Sequence, residues 1–176
     1  MTVFRIRAAT IADVNAIVSM LRDYMKETFG APWYGSPEAL VEEIEGSRLR
    51  FVLAETPDEG IVAFAAWQST YDLHHCVRGA EVIDLYVAKA KRGRAVSLLL
   101  LVEVAAEVAK VGGKFIKGQA IPKPGVRELY DRVAMSFPGA DCIVGGRAFR
   151  ALAELSGRPP RFVVKNMPDR AWNHEA

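Results

Sequence analysis

The sequence has few of the features that mark secreted, metal-binding or nucleic-acid-binding proteins. Its 176 residues contain only two cysteines, Cys76 and Cys142, with no CxxC or zinc-type spacing, which favours a reduced, cytoplasmic setting. Lys and Arg exceed Asp and Glu by only 23 to 21, so no overall positive field predicts a nucleic-acid partner. The adjacent His74 and His75 have no third ligand nearby, and we predict no metal site.

Long uninterrupted apolar runs are also missing. The opening residues, MTVFRIRAAT, lack the apolar core of a signal peptide and alternate like a strand. The mostly apolar stretch over residues 95–111 carries Glu103, Glu107 and Lys110 on one helical face, which predicts a buried crossover helix rather than a membrane span. We therefore expect a single domain over residues 1–176, with a polar tail from about residue 166 and no membrane partner.

The sequence does contain a regular succession of helical and strand patterns. Thr10 and Asp13 form a capping pair before a helix that Gly30 ends, and Ser36 with Pro37 begins a second helix that reaches residue 45. Strands are predicted over residues 3–7, 49–55, 61–70, 81–87 and 114–120, with a polar connection over residues 71–79.

The stretch from Glu81 to Gly113 combines a strand, a basic turn and a helix. The strand EVIDLYV is followed by four cations, Lys89, Lys91, Arg92 and Arg94, and the helix begins directly after them. A helix N-terminus exposes unpaired N–H groups and a partial positive charge, so phosphates bind there readily. From these residues alone two interpretations remain open: a phosphate cradle, and a solvated basic loop that joins strand to helix.

The order of these elements indicates an α+β fold. Its sheet is largely antiparallel, but the helical crossover makes the strands at 81–87 and 114–120 parallel. If that pair splays apart, it leaves a slot with the basic turn at one mouth. Further along the chain we predict a helix over residues 126–135, a weak strand near Cys142, a helix over 147–155 and a last strand over 161–165.

The sequence resembles the GNAT superfamily of acetyl-CoA-dependent N-acetyltransferases. The residues that carry the resemblance are EVIDLYV (81–87) with RGRAVS (92–97), and Leu129 with Tyr130 in the helix after the next strand. The segments WQSTY (67–71) and IDLYV (83–87) are similar to members that acetylate amines of small molecules. The resemblance implies an α/β/α sandwich with a splayed central parallel strand pair, and acetyl-CoA as co-substrate.

The resemblance also implies where coenzyme A binds. The family's phosphate loop follows the pattern Arg/Gln-x-x-Gly-x-Gly/Ala; Arg92 matches its first position, and Ala95 and Ser97 take its glycine positions. The loop residues whose backbone N–H groups would hold the pyrophosphate are Arg92, Gly93, Arg94, Ala95, Val96 and Ser97. The pantetheine arm would pair like an extra strand with three residues of the strand before it, Leu85, Tyr86 and Val87.

Acetyl transfer to an amine needs a base for the amine proton, a polarised thioester and a proton for the thiolate. Asp84 and Glu81 are the candidate bases; the alternative for Asp84 is a buried, hydrogen-bonded acid that ties down a neighbouring segment. Both can face the slot only if the strand contains a bulge. Tyr130 is the candidate general acid, and its alternative is a core tyrosine of an amphipathic helix.

Four aromatic residues are candidate walls of the acceptor site: Trp33, Tyr34, Trp67 and Tyr71. Aromatic faces suit cationic amines, although such residues more often serve as half-buried packing. The sequence leaves the acceptor open among peptide N-termini, lysines, polyamines and aminoglycosides.

Two functions from different classes remain open. The first is an N-acetyltransferase acting on a small-molecule or peptide amine by direct attack in a ternary complex; Arg92 and the candidate base and acid favour it. The second is a GNAT-fold protein with a degenerate cofactor loop that acts as a non-catalytic binding or regulatory module; Ala95, Ser97 and Lys123 favour it. The amphipathic segment at 147–155 is open to two roles, cover of the sheet edge or contact in a homodimer.

Overall fold

The computed structural model describes residues 4–119 and 165–166. The chain divides into two compact units, Met1–Lys123 and Pro124–Ala176. The described residues belong almost entirely to the first unit. The predictions of a helix with Tyr130, a strand near Cys142 and a helix over 147–155 lie outside the described residues. Of the strand expected at 161–165 only Lys165 is described, and that residue is helical. The single domain stays a prediction.

The described chain forms a five-stranded sheet with helices on both faces. The strands are β1 (Arg5–Ala8), β2 (Arg50–Thr56), β3 (Gly60–Asp72), β4 (Val77–Val87) and β5 (Phe115–Gly118). The helices are α1 (Val14–Phe29), α2 (Pro37–Glu45) and α3 (Val96–Lys110), with short 3-10 turns at Ile11–Asp13 and Lys89–Lys91. The sheet order is β1-β2-β3-β4-β5, antiparallel except for the parallel pair β4–β5. The predicted α+β fold with one parallel pair is confirmed.

The helices α1 and α2 end and begin at the residues that the sequence indicates. Gly30 adopts φ +66° and its N–H donates to the Lys26 carbonyl, which ends α1. The Ser36 hydroxyl accepts the Ala39 N–H at 3.1 Å, which caps α2. Since each cap satisfies backbone groups that would otherwise lack partners, these local choices fix where both helices lie along the chain.

The two faces of the sheet carry separate hydrophobic clusters. On one face α1 and α2 cover Phe51, Phe64 and Tyr86, and on the other α3 covers Trp67 and Val87, among other residues. The apolar helix α3 is the crossover that the sequence predicts between β4 and β5. It is buried along only one stripe, since Leu99 and Val102 are exposed. The two-sided packing of the sheet makes β4 a central strand whose alternate side chains face different helices.

The connection between β3 and β4 is shorter than expected. The sequence reads as a polar connection over residues 71–79, but β3 continues to Asp72, β4 begins at Val77, and a four-residue turn joins them. The Asp72 carboxylate accepts the backbone N–H groups of His74 and His75 at 2.8 and 3.2 Å. The side chain thus organises a tight turn, which lets polar residues at both strand ends stay in the sheet.

An ion-pair network fixes β1 to the start of α1. Arg7 donates from both terminal nitrogens to Asp13 at 2.8 Å, and its Nε donates to Glu55 at 2.9 Å. The Thr10 N–H also donates to Asp13 at 2.8 Å. These hydrogen bonds, with that to Arg7 the strongest, hold the pKa of the Asp13 carboxyl well below its usual range.

Asp13→Asn should lower the free energy of unfolding by about 1–2 kcal/mol at pH 7, because charged hydrogen bonds to Arg7 are lost. Because the pKa of Asp13 is depressed in the folded protein, its carboxylate contributes stability at pH values above its ordinary pKa of about 4, and this contribution decreases as the pH falls below that value. The difference between the two proteins should therefore shrink in urea unfolding at pH 3.

Glu43→Gln is the matched control, because Glu43 forms an ion pair with Arg48 at 2.7 Å on the exposed surface. Exposed pairs contribute little, so we expect no measurable change. If both variants lose the same stability, burial of the Arg7–Asp13 pair does not matter.

Candidate functional site

A β-bulge lies in the middle of β4. In the pairing of β3 with β4, Ala66 is opposite Asp84 while the next residue, Trp67, is opposite Val82. Ile83 is therefore an extra residue on β4. Because one extra residue shifts the alternation of side chains by one, Glu81 and Asp84 lie on the same face of the sheet. This bulge is the condition that the sequence sets if both carboxylates are to face one site.

The neighbours of β4 identify that face as the side of α1. The Tyr24 hydroxyl of α1 donates to Asp84 Oδ1 at 2.7 Å, and Tyr86 belongs to the same hydrophobic cluster as α1. Val82 and Leu85 instead pack with α3 on the opposite face. Glu81 is half-buried, and its Oε2 lies 3.7 Å from Lys117 Nζ on β5. Asp84 thus has a neutral partner, whereas Glu81 has a cationic one.

The surroundings of Asp84 perturb its titration. Burial raises the pKa of the Asp84 carboxyl, and the hydrogen bond from Tyr24 acts in the opposite direction. Burial, together with the neighbouring carboxylate, raises the pKa of the Tyr24 phenol, so Tyr24 remains a donor at neutral pH. A half-buried carboxylate with a raised pKa and a fixed donor is the arrangement expected of a base.

The second half of β4 has an edge that β5 does not cover. Parallel pairing runs from Gly79 with Phe115 to Val82 with Gly118, and within the described residues none pairs with this edge beyond Val82. The Ala88 N–H donates to Val62 on β3, so by alternation the backbone groups of Leu85 and Val87 point to the opposite side. The Arg92 Nε donates to the Val87 carbonyl at 2.9 Å, as this orientation requires.

The turn between β4 and α3 has two residues with left-handed backbone. Gly93 has φ +73°, and Ala95, the residue before α3, has φ +59°. Alanine rarely adopts this conformation, at a cost of about 1–2 kcal/mol, so the chain accepts strain where the family pattern has glycine. Nothing lies within 4 Å of a Cβ added at Gly93.

The N-terminus of α3 has no side-chain cap. No side chain caps α3 at Ala95, whereas the Ser36 hydroxyl caps α2, and the Thr10–Asp13 hydrogen bond stabilises the 3-10 turn that precedes α1. The first N–H groups of a helix lack partners within the helix. Those of Val96 and Ser97 therefore suit an anion that approaches the turn.

Two cations of the turn, Lys91 and Arg92, are paired with carboxylates. Arg92 is bound to Glu27 of α1 by two nitrogens, one at 2.8 Å, and its Cζ lies 5.6 Å from the Tyr86 ring centroid. The hydrogen bond between them lowers the pKa of Glu27 and raises that of Arg92. Lys91 is buried and paired with Glu59. Of the four cations that the sequence groups together, these two hold the turn against the rest of the unit.

The four aromatic candidates do not form one wall. Trp33 is half-buried against the cluster under α1 and α2, whereas Trp67 is only 2% exposed and packs in the cluster under α3, with the Arg50 guanidinium 4.9 Å from its ring centroid. Tyr34 and Tyr71 are 83% and 53% exposed. Trp67 therefore lies on the opposite face of the sheet from Asp84. Of the four, Trp33 packs into the cluster on Asp84's side of the sheet.

Sequence reasoning did not find Tyr24 and Glu27. Both lie on α1 three residues apart, so they share one side of the helix and reach Asp84 and Arg92 respectively. The available signal was a tyrosine that continues the apolar stripe of Ile17 and Leu21. A tyrosine hydroxyl on the apolar face of a helix needs a hydrogen-bond partner, which here is Asp84.

Neither a metal centre nor a membrane segment is found in the part of the chain that the structure describes. Within residues 4–119 and 165–166 there is no group of three or more His, Cys, Asp or Glu side chains that could hold a metal ion. None of the described helices is long and apolar enough to cross a membrane.

Comparison with known proteins identifies the fold. No family model matches the sequence, and no curated protein matches it. Solved structures do. A ribosomal-protein-alanine N-acetyltransferase from Brucella melitensis biovar Abortus is 16% identical with TM-score 0.67, covering 81% of this chain and 98% of that one.

Two further structures are similar over most of their length. An integron cassette protein from the mobile metagenome of V. cholerae is 17% identical, with TM-score 0.70 over 88% of this chain and 99% of that one. An aminoglycoside acetyltransferase from an uncultured soil metagenomic sample, in complex with sisomicin, is 13% identical, with TM-score 0.64 over 80% and 92%. The chain has the fold of the GNAT acetyltransferases, as the sequence predicts.

Proposed function

We propose that this protein is an N-acetyltransferase that moves the acetyl group of acetyl-CoA to a primary amine of a small molecule or peptide in a ternary complex. One observation carries the proposal: the uncapped N-terminus of α3 follows a turn with positive φ at Gly93 and Ala95, next to the edge of β4 beyond Val82, with which no other described residue pairs. An anion site and an open strand edge, side by side, suit a cofactor with a pyrophosphate and an amide-containing arm.

The pyrophosphate would bind to the N–H groups between Gly93 and Ser97. The positive φ of Gly93 and Ala95 turns the backbone of this segment, and successive N–H groups in such turns form anion-binding concavities. The amides of the pantetheine arm would then bond to Leu85 and Val87, whose backbone groups point away from β3. Tyr86 lies between these two residues in the strand, and its ring is buried under α1.

The described carboxylates fit the proton transfer. The amine nitrogen must lose its proton before it attacks the thioester carbonyl; the new C–N bond forms, the C–S bond breaks, and the thiolate leaves and is protonated. Asp84 is the better base, because burial raises its pKa, while Glu81 is paired with Lys117. A backbone N–H near Val87 would polarise the thioester carbonyl. Tyr130, outside the described residues, stays the proposed acid for the thiolate.

A second function is favoured by the state of the turn. Arg92 is already bound to Glu27, and Ala95 holds a strained conformation where glycine would be free of strain. Both features are those of a GNAT-fold protein that binds a partner or an acyl-CoA without turnover. Titration of the protein with acetyl-CoA and with coenzyme A, followed by an assay of thiol release with amines, separates the two functions.

Micromolar binding in calorimetry, followed by thiol release with at least one amine of a panel, is the result expected for the transferase. The panel contains peptide N-termini, lysine, polyamines and aminoglycosides. Absence of binding up to millimolar cofactor contradicts the transferase, and binding without thiol release from any of these amines favours the binding protein.

Ala95→Gly should raise the free energy of unfolding by about 0.5 kcal/mol, because relief of the left-handed alanine exceeds the added freedom of glycine in the unfolded chain. It should leave acetyl-CoA affinity equal or higher, since the turn keeps its conformation. Urea unfolding and calorimetry measure the two quantities.

Gly93→Ala is the matched control on the same turn. Gly93 has a similar φ and open space around its Cβ position, so its loss of about 1 kcal/mol would come from the backbone alone. If Ala95→Gly instead destabilises the protein, Ala95 is not strained.

A further inference from the structure

A hydroxyl from α1 holds one oxygen of Asp84. The Tyr24 hydroxyl donates to Asp84 Oδ1 at 2.7 Å, across 60 residues of sequence. Within residues 4–119 no side chain donates to the other oxygen, Oδ2. One oxygen of the carboxylate is therefore fixed, and no described side chain donates a hydrogen bond to the second.

Aromatic packing holds Tyr24 in place. Its ring centroid lies 5.8 Å from those of Phe29 and Tyr86 and 6.4 Å from that of Phe64, and its ring meets the two phenylalanines edge to face. Phe64 is fully buried, so this ring cluster belongs to the core. A phenol held by a rigid core keeps its hydroxyl in one place before any substrate arrives, which is the condition for preorganisation.

The β-bulge makes this contact possible. If β4 alternated regularly through Ile83 with no bulge, Asp84 would share the face of Ala80 and Val82, which pack with α3. With it, Asp84 faces α1 and meets Tyr24. The bulge and the tyrosine therefore act on the same side chain from two different elements.

We propose that Tyr24 is the positioning residue of the acyl transfer, holding the Asp84 carboxylate charged and oriented so that Oδ2 receives the amine or its proton. This inference rests on the proposed function. In this proposal Tyr24 acts through Asp84 and does not itself contact the substrate or the cofactor. A tyrosine serving only to pack would work equally well as phenylalanine.

The elements packed on this side of the sheet carry other charged or titratable groups, and all of them remain when the Tyr24 hydroxyl is removed. They are Glu27 on α1, Glu81 and Tyr86 on β4, Lys117 on β5 and Arg92 in the turn. The pKa of Asp84 is shifted by burial and by the hydrogen bond from Tyr24. Gln68, opposite Glu81 on β3, is uncharged. Any change in the titration of Asp84 in Tyr24→Phe therefore reports the lost hydrogen bond.

The first test is the pH dependence of kcat/KM for wild type and Tyr24→Phe. Removal of the donor leaves the effect of burial unopposed, so the acid limb should move to higher pH by about one pH unit. At pH 7 kcat should fall several-fold, while the acetyl-CoA dissociation constant stays the same. An acid limb that does not move overturns the inference.

Leu21→Ala is the control for a purely structural effect. Leu21 is a buried residue of α1 in the same core, so its truncation loosens the helix without touching Asp84. We expect lower stability and an unmoved acid limb. If Leu21→Ala moves the acid limb as far as Tyr24→Phe, the tyrosine acts by packing and the inference fails.

A second measurement does not depend on turnover. Carbon-13 NMR of aspartate-labelled protein gives the titration midpoint of Asp84, with the signal assigned from its loss in Asp84→Asn. A midpoint that rises in Tyr24→Phe supports the inference, and an unchanged midpoint overturns it. If the wild-type protein acetylates no amine of the panel, the proposed function fails. If the titration midpoint of Asp84 does not change in Tyr24→Phe, the inference about Tyr24 fails, so the two failures are distinguished.

Discussion

Asp84→Asn is expected to lower kcat/KM for acetyl transfer roughly a hundredfold while making the folded protein more stable at neutral pH. The loss of activity follows from the loss of the base, since the amide that replaces it cannot accept the amine proton. The Tyr24 hydroxyl still has an oxygen to bond, because the amide keeps one at the position of Oδ1. The site should therefore keep its geometry.

The gain in stability follows from the direction of the pKa shift. Burial raises the folded-state pKa of Asp84 above its ordinary value. Such a group contributes stability below its ordinary pKa of about 4, and loses it as the pH rises through the raised pKa. Wild type therefore carries a half-buried charge at pH 7 that Asp84→Asn lacks. We expect a gain on the order of 1 kcal/mol in urea unfolding at pH 7, shrinking toward zero below pH 4.

Glu81→Gln is the comparison that assigns the base. Glu81 shares the face of Asp84 but is paired with Lys117, so its removal should lower kcat/KM less than Asp84→Asn does. A larger loss from Glu81→Gln would assign the proton transfer to Glu81. Loss of both activity and stability in Asp84→Asn would mean that the carboxylate is a structural tie between β4 and α1.

The helices and most strands were predictable because their signals are local. Ser36 with Pro37, and Gly30 after an apolar stripe, fix helix ends through groups within four residues of each other. The β3–β4 turn was not predictable in the same way. Asp72 at the end of a strand and Val77 at the start of the next read as loop, because their place in the sheet depends on pairing with each other.

The site was predictable only in part, because its key contacts are long-range. Asp84 and Arg92 could be selected from sequence as a carboxylate in an apolar strand and a cation before a helix. Their partners, Tyr24 and Glu27, lie 60 and 65 residues away on α1, where no spacing rule connects them. The bulge at Ile83 is also invisible, since an isoleucine continues the strand pattern and only the register with β3 reveals it.

Arg92→Glu should raise the acetyl-CoA dissociation constant more than tenfold, or about 1.4 kcal/mol, with little change in kcat at saturating cofactor. The Arg92 guanidinium bonds Glu27 on α1 and the Val87 carbonyl on β4, and it lies over Tyr86. A glutamate would face Glu27 with like charge and release the turn from both elements. Calorimetry with acetyl-CoA measures the change, and turnover at saturation separates affinity from chemistry.

Two explanations of this effect make opposite predictions for Glu27→Gln. If Arg92 contacts the phosphates directly, Glu27 competes for it, and Glu27→Gln should tighten binding. If Arg92 instead shapes the turn that presents the N–H groups of α3, then Glu27→Gln should weaken binding in the same direction as Arg92→Glu. We expect weaker binding, because the three contacts of Arg92 lie on two different elements and together fix where the turn begins.

Lys89→Glu controls for net charge on the same turn. Lys89 is exposed, and its reversal changes the charge by the same amount while leaving the bonds of Arg92 to Glu27 and Val87 intact. Its effect should be smaller than that of Arg92→Glu and should fade at high salt, because exposed charges are screened. Equal effects of the two reversals, both lost at high salt, would mean that the turn attracts the cofactor by charge alone. Arg92 would then have no structural role in the cradle.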